Sequence, residues 1–307
     1  MTFHFADALA EEIDTKGAPL AIGLDPHLHL LPTFLRERFE TLTGVDYFQE
    51  AAKAVLTFNK IVLDAVQDEV VAVKPQFAFY EQLGSHGWKA LEDTCQYAKS
   101  LGLLIVADAK RGDISSTGAA YAKAIIDNNG PMGCDSITLN PWMGLDTLDP
   151  FLKLVEEQGK GIFVLLRTTN PQSHFFQHHG KPSASIQLAR QLAEMSKSSI
   201  GTSGFSNVGA VVGASAHLEA QQYREIHSTG WFLVPGVGAQ GATPEEGLAS
   251  ADQHGLGALV VASRSLLFPK GEHRDVQYDE NQEGVTRSIL NATRALKQSV
   301  LAVSFST

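Results

Sequence analysis

Short runs of consecutive apolar residues recur along the chain. Each is closed by polar, glycine or proline positions and followed by a stretch of helical periodicity. Runs at 20–24, 70–73, 103–107, 136–139, 162–166, 210–212, 232–234 and 258–261 predict eight strands. They are apolar throughout rather than alternating, as strands covered on both faces of a parallel sheet are. Between them, Phe48, Ala51, Val55, Phe58, Val62 and Val66 repeat at three- and four-residue spacing and predict one helix from Tyr47 to Val66 with a single apolar stripe. Thr243-Pro244-Glu245-Glu246 reads as a helix start, with a threonine N-cap, proline in the first turn and glutamate placed for a capping box. Gly102, Gly159 and Gly255 fit helix stops.

Eight strands alternating with helices predict a (β/α)8 TIM barrel, an α/β fold whose competitor on the same pattern is an open doubly wound sheet. No Pro-rich linker, low-complexity stretch or sequence repeat divides the chain, so residues 1–307 are read as a single domain. The long gap between the first two strands predicts extra helices near the N-terminus rather than a second domain.

Composition narrows the partners. A formal net charge of −10 argues against a non-specific nucleic-acid binder and leaves room for a local basic pocket that takes a small anion. Cys95 and Cys134 have no CxxC spacing and read as two reduced thiols. The opening residues lack a basic segment followed by a long apolar one, and no apolar run is long enough to cross a bilayer; a cytoplasmic protein with no membrane partner is expected.

In a barrel, functional groups gather at the C-terminal ends of the strands. Those ends carry Asp25-Pro26, Lys74-Pro75-Gln76, Asp108 and Lys110, Asn140-Pro141, Arg167-Thr168-Thr169-Asn170, Gly213-Ala214-Ser215, Pro235-Gly236-Val237-Gly238-Ala239-Gln240 and Ser263-Arg264-Ser265. The densest is Asp108-Ala109-Lys110-Arg111-Gly112-Asp113. Side chains two apart on a strand share a face, so Asp108 and Lys110 should project together, with Asp113 on the turn that Gly112 permits. An isolated Asp-x-Lys reads equally well as a strand-end ion pair; its place after a strand of parallel type favours chemistry. At the last two ends, Gly236 and Gly238 allow close approach of backbone amides to an anion and Arg264 adds a cation, a combination that fits phosphate, although Gly-x-Gly alone is simply a tight turn.

With these residues assembled, the chain resembles the orotidine 5′-phosphate decarboxylase family, in its longer (type 2) subgroup. The resemblance rests on Asp108-x-Lys110-x-x-Asp113 with Ile114 and Thr117 after it, on Asp25, Lys74, the Pro-Gly-Val-Gly run at 235–238 and Arg264, and runs from Ala21 to Phe268. The run 74–81 and Arg111 suggest the subgroup.

The resemblance implies a cofactor-free carboxy-lyase, with no metal, that converts orotidine 5′-monophosphate to UMP and CO2. It makes Lys110 the proton donor to C6, sets Asp108 near the departing carboxylate and has Lys74 and Asp113 complete an alternating charge network. It implies a homodimer in which Asp113 and Thr117 reach the neighbouring site, with Ile114 beside them. It assigns Asp25 to the ribose hydroxyls and Pro235, Gly236, Gly238, Gln240 and Arg264 to the phosphate end. After strand five, Thr169 and Asn170 are the candidates to read the pyrimidine, and the two stay open. The same spacing occurs in Mg²⁺-dependent barrels acting on sugar phosphates, the alternative enzyme class; an inactive phosphate-binding barrel is the other.

The remaining signals have plain readings. His27 and His29, and His178 with His179, lack an acidic or cysteine partner at ligand spacing and read as loop histidines. Trp88 and Trp142 are expected to pack helices onto the barrel. Arg167 reads as a substrate contact or a strand-end salt bridge, and Phe175-Phe176 as a partner contact or a cover for the site.

Overall fold

The structure, a computed structural model, describes residues 3–238, 241–269 and 281–304. Eight parallel strands close into a barrel in sequence order: β1 (Leu20–Leu24), β2 (Ala72–Pro75), β3 (Leu104–Arg111), β4 (Ser136–Leu139), β5 (Gly161–Arg167), β6 (Ser206–Val212), β7 (Gly230–Pro235) and β8 (Ala258–Ala262). Closure is made by β1 against β8, with Leu20 opposite Val260 and Ile22 opposite Ala262. The barrel is the single domain expected, and the open-sheet alternative is excluded.

Alternation within each strand explains why the runs read as uniformly apolar. Ile22, Leu24, Val73, Ile105 and Ile137 point outward into one core shared with the surrounding helices. Ala21, Ala72, Leu104, Val106, Phe163, Val211, Leu233, Leu259 and Val261 point inward and form a second core. Helix Phe5–Lys16 supplies Phe5, Leu9 and Ile13 to that inner core and plugs the N-terminal end of the barrel. The inner column is thus filled from below, and the next inward positions at the opposite end carry polar groups.

The long gap between β1 and β2 holds Leu28–Leu30, Thr33–Arg36 and the 23-residue helix Gly44–Val66, whose buried side includes Ala51, Val55, Phe58, Val62 and Val66. The capping box at Thr243 and Glu246 is formed, on a short helix, Pro244–Gly247. Gly102 and Gly159 lie at helix ends in left-handed backbone. Gly255 does not stop a helix; it sits in a turn well past Gly247. Strand two is displaced from 70–73 to Ala72–Pro75, and strand three runs on to Arg111, because pairing with neighbours rather than apolarity sets strand limits. No helix among the described residues is long and apolar enough to cross a membrane.

Candidate active site

The polar ends of the inner columns surround a cavity of about 1060 Å³ at the C-terminal mouth of the barrel. Its floor is a charge network centred on Asp108. Asp108 Oδ2 accepts from Lys74 Nζ at 2.6 Å and Gln76 Nε2 at 2.9 Å. Oδ1 accepts from Lys110 Nζ at 2.5 Å and the Thr138 hydroxyl at 3.1 Å. All of these contacts come from β2, β3, β4 and the residue just after β2, so strand pairing itself brings the groups together. Lys74 and Asp108 are 4% and 6% exposed, which makes this a buried ion pair whose desolvation must be offset by full hydrogen bonding.

The charges set each other's protonation. Burial works to raise the Asp108 carboxyl, but the two ammonium groups overcome it and hold Asp108 well below the usual carboxylate range. Burial works to lower Lys74, but Asp108 and then Asp25 overcome it and hold Lys74 above its ordinary value. Both residues are therefore ionised across neutral pH.

Lys110 reaches Asp108, as strand alternation suggests, but not by regular strand geometry. Its φ is +47°, in left-handed backbone that a residue bearing a Cβ rarely adopts, and the β3–β4 register shifts between Ala107 and Arg111. Its amide donates to Thr138 Oγ1 at 3.0 Å. Thr138 thus holds both the backbone of Lys110 and the carboxylate of Asp108, and only 1% of it is exposed. In the sequence Thr138 is one residue inside the run 136–139, and only its hydroxyl sets it apart from the apolar positions beside it.

The other walls follow from loops. Asp25 lines the cavity, and its Oδ1 is buried with no hydrogen-bond partner among the described residues. Pro235, Gly236 and Arg264 line the far side. Gly238 stands just outside the lining in left-handed backbone, where a Cβ would approach Ser265 Oγ to 2.7 Å. That hydroxyl is buried and unpaired among the described residues, a donor that sequence reading left unassigned. Gln240 lies outside the described residues.

After β5, Thr168, Thr169 and Asn170 enter the wall, with Arg167, Phe175 and Phe176. Gly213 makes room for this loop: a Cβ there would come within 2.2 Å of Thr169 Cγ2. Trp142 does not pack a helix onto the barrel. It is 69% exposed at the cavity rim, with its ring 4.5 Å from that of Phe176, because the turn after β4 carries it beyond the barrel end. Trp88, by contrast, meets Phe77 edge-on at 5.8 Å.

Asp113, Ile114 and Thr117 do not line this cavity. Asp113 Oδ1 accepts from the Ile114 amide, and Ile114 is half exposed. Among the described residues, no group of three or more His, Cys, Asp or Glu side chains is arranged to hold a metal ion; His178 instead contacts Glu219.

Residues 55–278 match the family described as orotidine 5′-phosphate decarboxylase / HUMPS. The chain belongs to that family. It is 35% identical over 302 residues to orotidine 5′-phosphate decarboxylase of Rhodopirellula baltica, covering 95% of this chain and 99% of that protein. It is 32% identical over 302 residues to the enzyme of the same name from Caldicellulosiruptor saccharolyticus, covering 95% and 98%. Among solved structures it is similar to Leishmania donovani OMP decarboxylase, with a TM-score of 0.75, 27% identity and coverage of 99% and 100%.

Proposed function

We propose that the chain decarboxylates orotidine 5′-monophosphate to UMP and CO2 in de novo pyrimidine biosynthesis, as a cytoplasmic enzyme. The observation that carries this reading is the Lys74–Asp108–Lys110 network, with Lys74 and Asp108 buried and Lys110 open to a cavity large enough for a nucleotide, facing a wall built from Gly236 and Arg264.

The chemistry needs a fixed cation. Heterolysis of the bond between C6 and its carboxylate releases CO2 and leaves the electron pair in an in-plane sp² orbital of C6, where the ring cannot delocalise it well. The Lys110 ammonium stabilises that developing charge and then delivers a proton to C6; water restores the proton to Lys110, so one proton is consumed per turnover. Asp108 and Lys74 fix the ammonium beforehand, so little reorganisation is needed as charge develops. Asp108 sits beside the departing carboxylate. Asp25 takes ribose hydroxyls, Thr169 or Asn170 reads the pyrimidine, and Pro235, Gly236, Gly238, Gln240 and Arg264, with Ser265, receive the phosphate. The scheme calls on no cofactor or metal.

The half-exposed Ile114, with Asp113 and Thr117, supports a homodimer in which these residues complete the neighbouring subunit's site, since they do not line their own.

The test is the absorbance change of orotidine 5′-monophosphate in EDTA, for wild type and Lys110→Ala. Turnover by wild type is expected, with a loss of at least about a thousandfold in the variant, the scale of a lost proton donor and its electrostatic contribution. No turnover by wild type, or dependence on added Mg²⁺, would overturn the reading.

A further inference from the structure

The loop after β5, residues 168–183, carries Thr168, Thr169 and Asn170 into the cavity and is held from outside by one carboxylate. Glu219, on helix His217–Ile226 beyond β6, uses both of its oxygens. Oε2 accepts from Arg167 Nε at 2.7 Å at the start of the loop, and Oε1 lies 2.8 Å from His178 Nε2 after the short helix His174–Gln177. Inside this bracket, Arg167 Nη1 donates to the Thr168 carbonyl at 2.6 Å and to Ser173 Oγ at 2.8 Å. Gln177 is bonded twice to Thr168, accepting from its amide at 3.0 Å and donating to its hydroxyl at 2.8 Å. The same hydroxyl donates to Asn170 Oδ1 at 2.7 Å. A continuous chain of hydrogen bonds thus runs from Glu219 to Asn170, and it occupies Nε and Nη1 of Arg167.

We propose that Glu219 is a positioning residue for recognition of the pyrimidine base, acting through Arg167 and His178 to hold the loop after β5 in its binding geometry. The inference rests on the nucleotide reading above. Partly exposed ion pairs contribute little to global stability, and Glu219 and His178 have 31% and 41% of their side chains exposed. The effect of the bracket is local: it joins the start of the loop to its middle, so the ordering entropy of Thr168 to Asn170 is met before the ligand arrives rather than on binding.

The experiment compares binding of UMP and of D-ribose 5-phosphate, which lacks the base, by titration calorimetry, together with kcat and KM for orotidine 5′-monophosphate. Glu219→Ala should weaken UMP about tenfold and raise KM similarly, the scale of one or two lost charge-assisted hydrogen bonds, with ribose 5-phosphate affinity held within about twofold. His178→Gln, at a more exposed site that leaves Arg167 paired, should show the same pattern at smaller size. Glu219→Asp should recover part of the UMP affinity. Equal weakening of both ligands, or unchanged UMP affinity in both Glu219→Ala and His178→Gln, would overturn the proposal. Failure of wild type to bind UMP or turn over the nucleotide would instead overturn the functional reading beneath it.

Discussion

Thr138 Oγ1 lies 3.0 Å from the amide of Lys110, at the residue where β3 turns into left-handed backbone. The same oxygen lies 3.1 Å from Asp108 Oδ1, so one hydroxyl accepts from the lysine backbone and donates to the carboxylate that holds the lysine side chain. Unfavourable φ values at such positions persist only when surrounding groups determine them. Thr138→Val, nearly equal in shape, should lower kcat about tenfold with KM little changed, the scale of a lost hydrogen bond that acts on Lys110 rather than on the substrate. Thr138→Ser should retain most of the rate. Equal losses in both variants would point to packing instead.

Lys74 and Asp108 form a buried pair, and removing one partner leaves the other charge without its nearest counter-ion. Lys74→Met should destabilise the fold by about 3 kcal/mol at neutral pH, at the low end for a broken buried pair because Lys110 still faces the carboxylate. Asp108, held low in wild type, titrates higher in the variant. The stability gap between the two proteins should therefore stay open down to about pH 4 and close below it, as the unfolded chain takes up the proton that the paired Asp108 resists. Urea unfolding at pH 7.5 and about pH 3 checks this, and a gap that stays constant between them would count against it.

His227 gives a second acid-sensitive contribution, far from the chemistry. It is fully buried, its Nε2 lies 3.0 Å from the Val208 carbonyl oxygen, and burial first and the Arg224 cation second push its pKa down to about 4. Unfolded histidine titrates near 6.5, so between those values the unfolded chain binds more protons than the native one. The neutral imidazole costs nothing above about pH 6.5; as pH falls towards 4, about 3 kcal/mol of stability is lost. His227→Gln keeps an amide donor in place of the ring N–H. Its unfolding free energy should fall less steeply over this range than that of wild type, and parallel pH curves would refute the assignment.

Asp113 and Lys110 can be tested as parts of two different subunits. If Asp113 completes the neighbour's site, mixing Lys110→Ala with Asp113→Ala subunits restores in each mixed dimer one site with both native residues. About a quarter of wild-type activity is expected from random pairing, with half of the dimers mixed and one of two sites intact in each. Mixtures no more active than the separate variants would remove Asp113 from the shared site.

Much of this was legible in the chain because local physics carries it. Continuous apolar runs require cover on both faces, and their alternation with helices is enough for a parallel α/β sheet, while closure into a barrel rests on the pairing of β1 with β8. The spacing of Asp108 and Lys110 placed two opposite charges at one strand end, and the helices between β1 and β2 were visible from the stripe ending at Val66. Thr138 was not legible, because a threonine inside a strand has no local mark of facing inward. Trp142 was misplaced for a related reason: a large aromatic usually packs, and only the direction of the turn after β4 sends it to the rim.

By itself the sequence determined the fold class and the chemical character of each strand end, since these depend on periodicity and residue type. Tertiary structure alone decided which ends meet. It gathered Lys74 and Thr138 from the strands on either side around the Asp108 carboxylate, forced Lys110 out of regular strand geometry to reach it, and carried Glu219 from a later helix to the back of the β5 loop. Those relationships depend on the closure and register of the barrel, and no stretch of sequence carries either one alone.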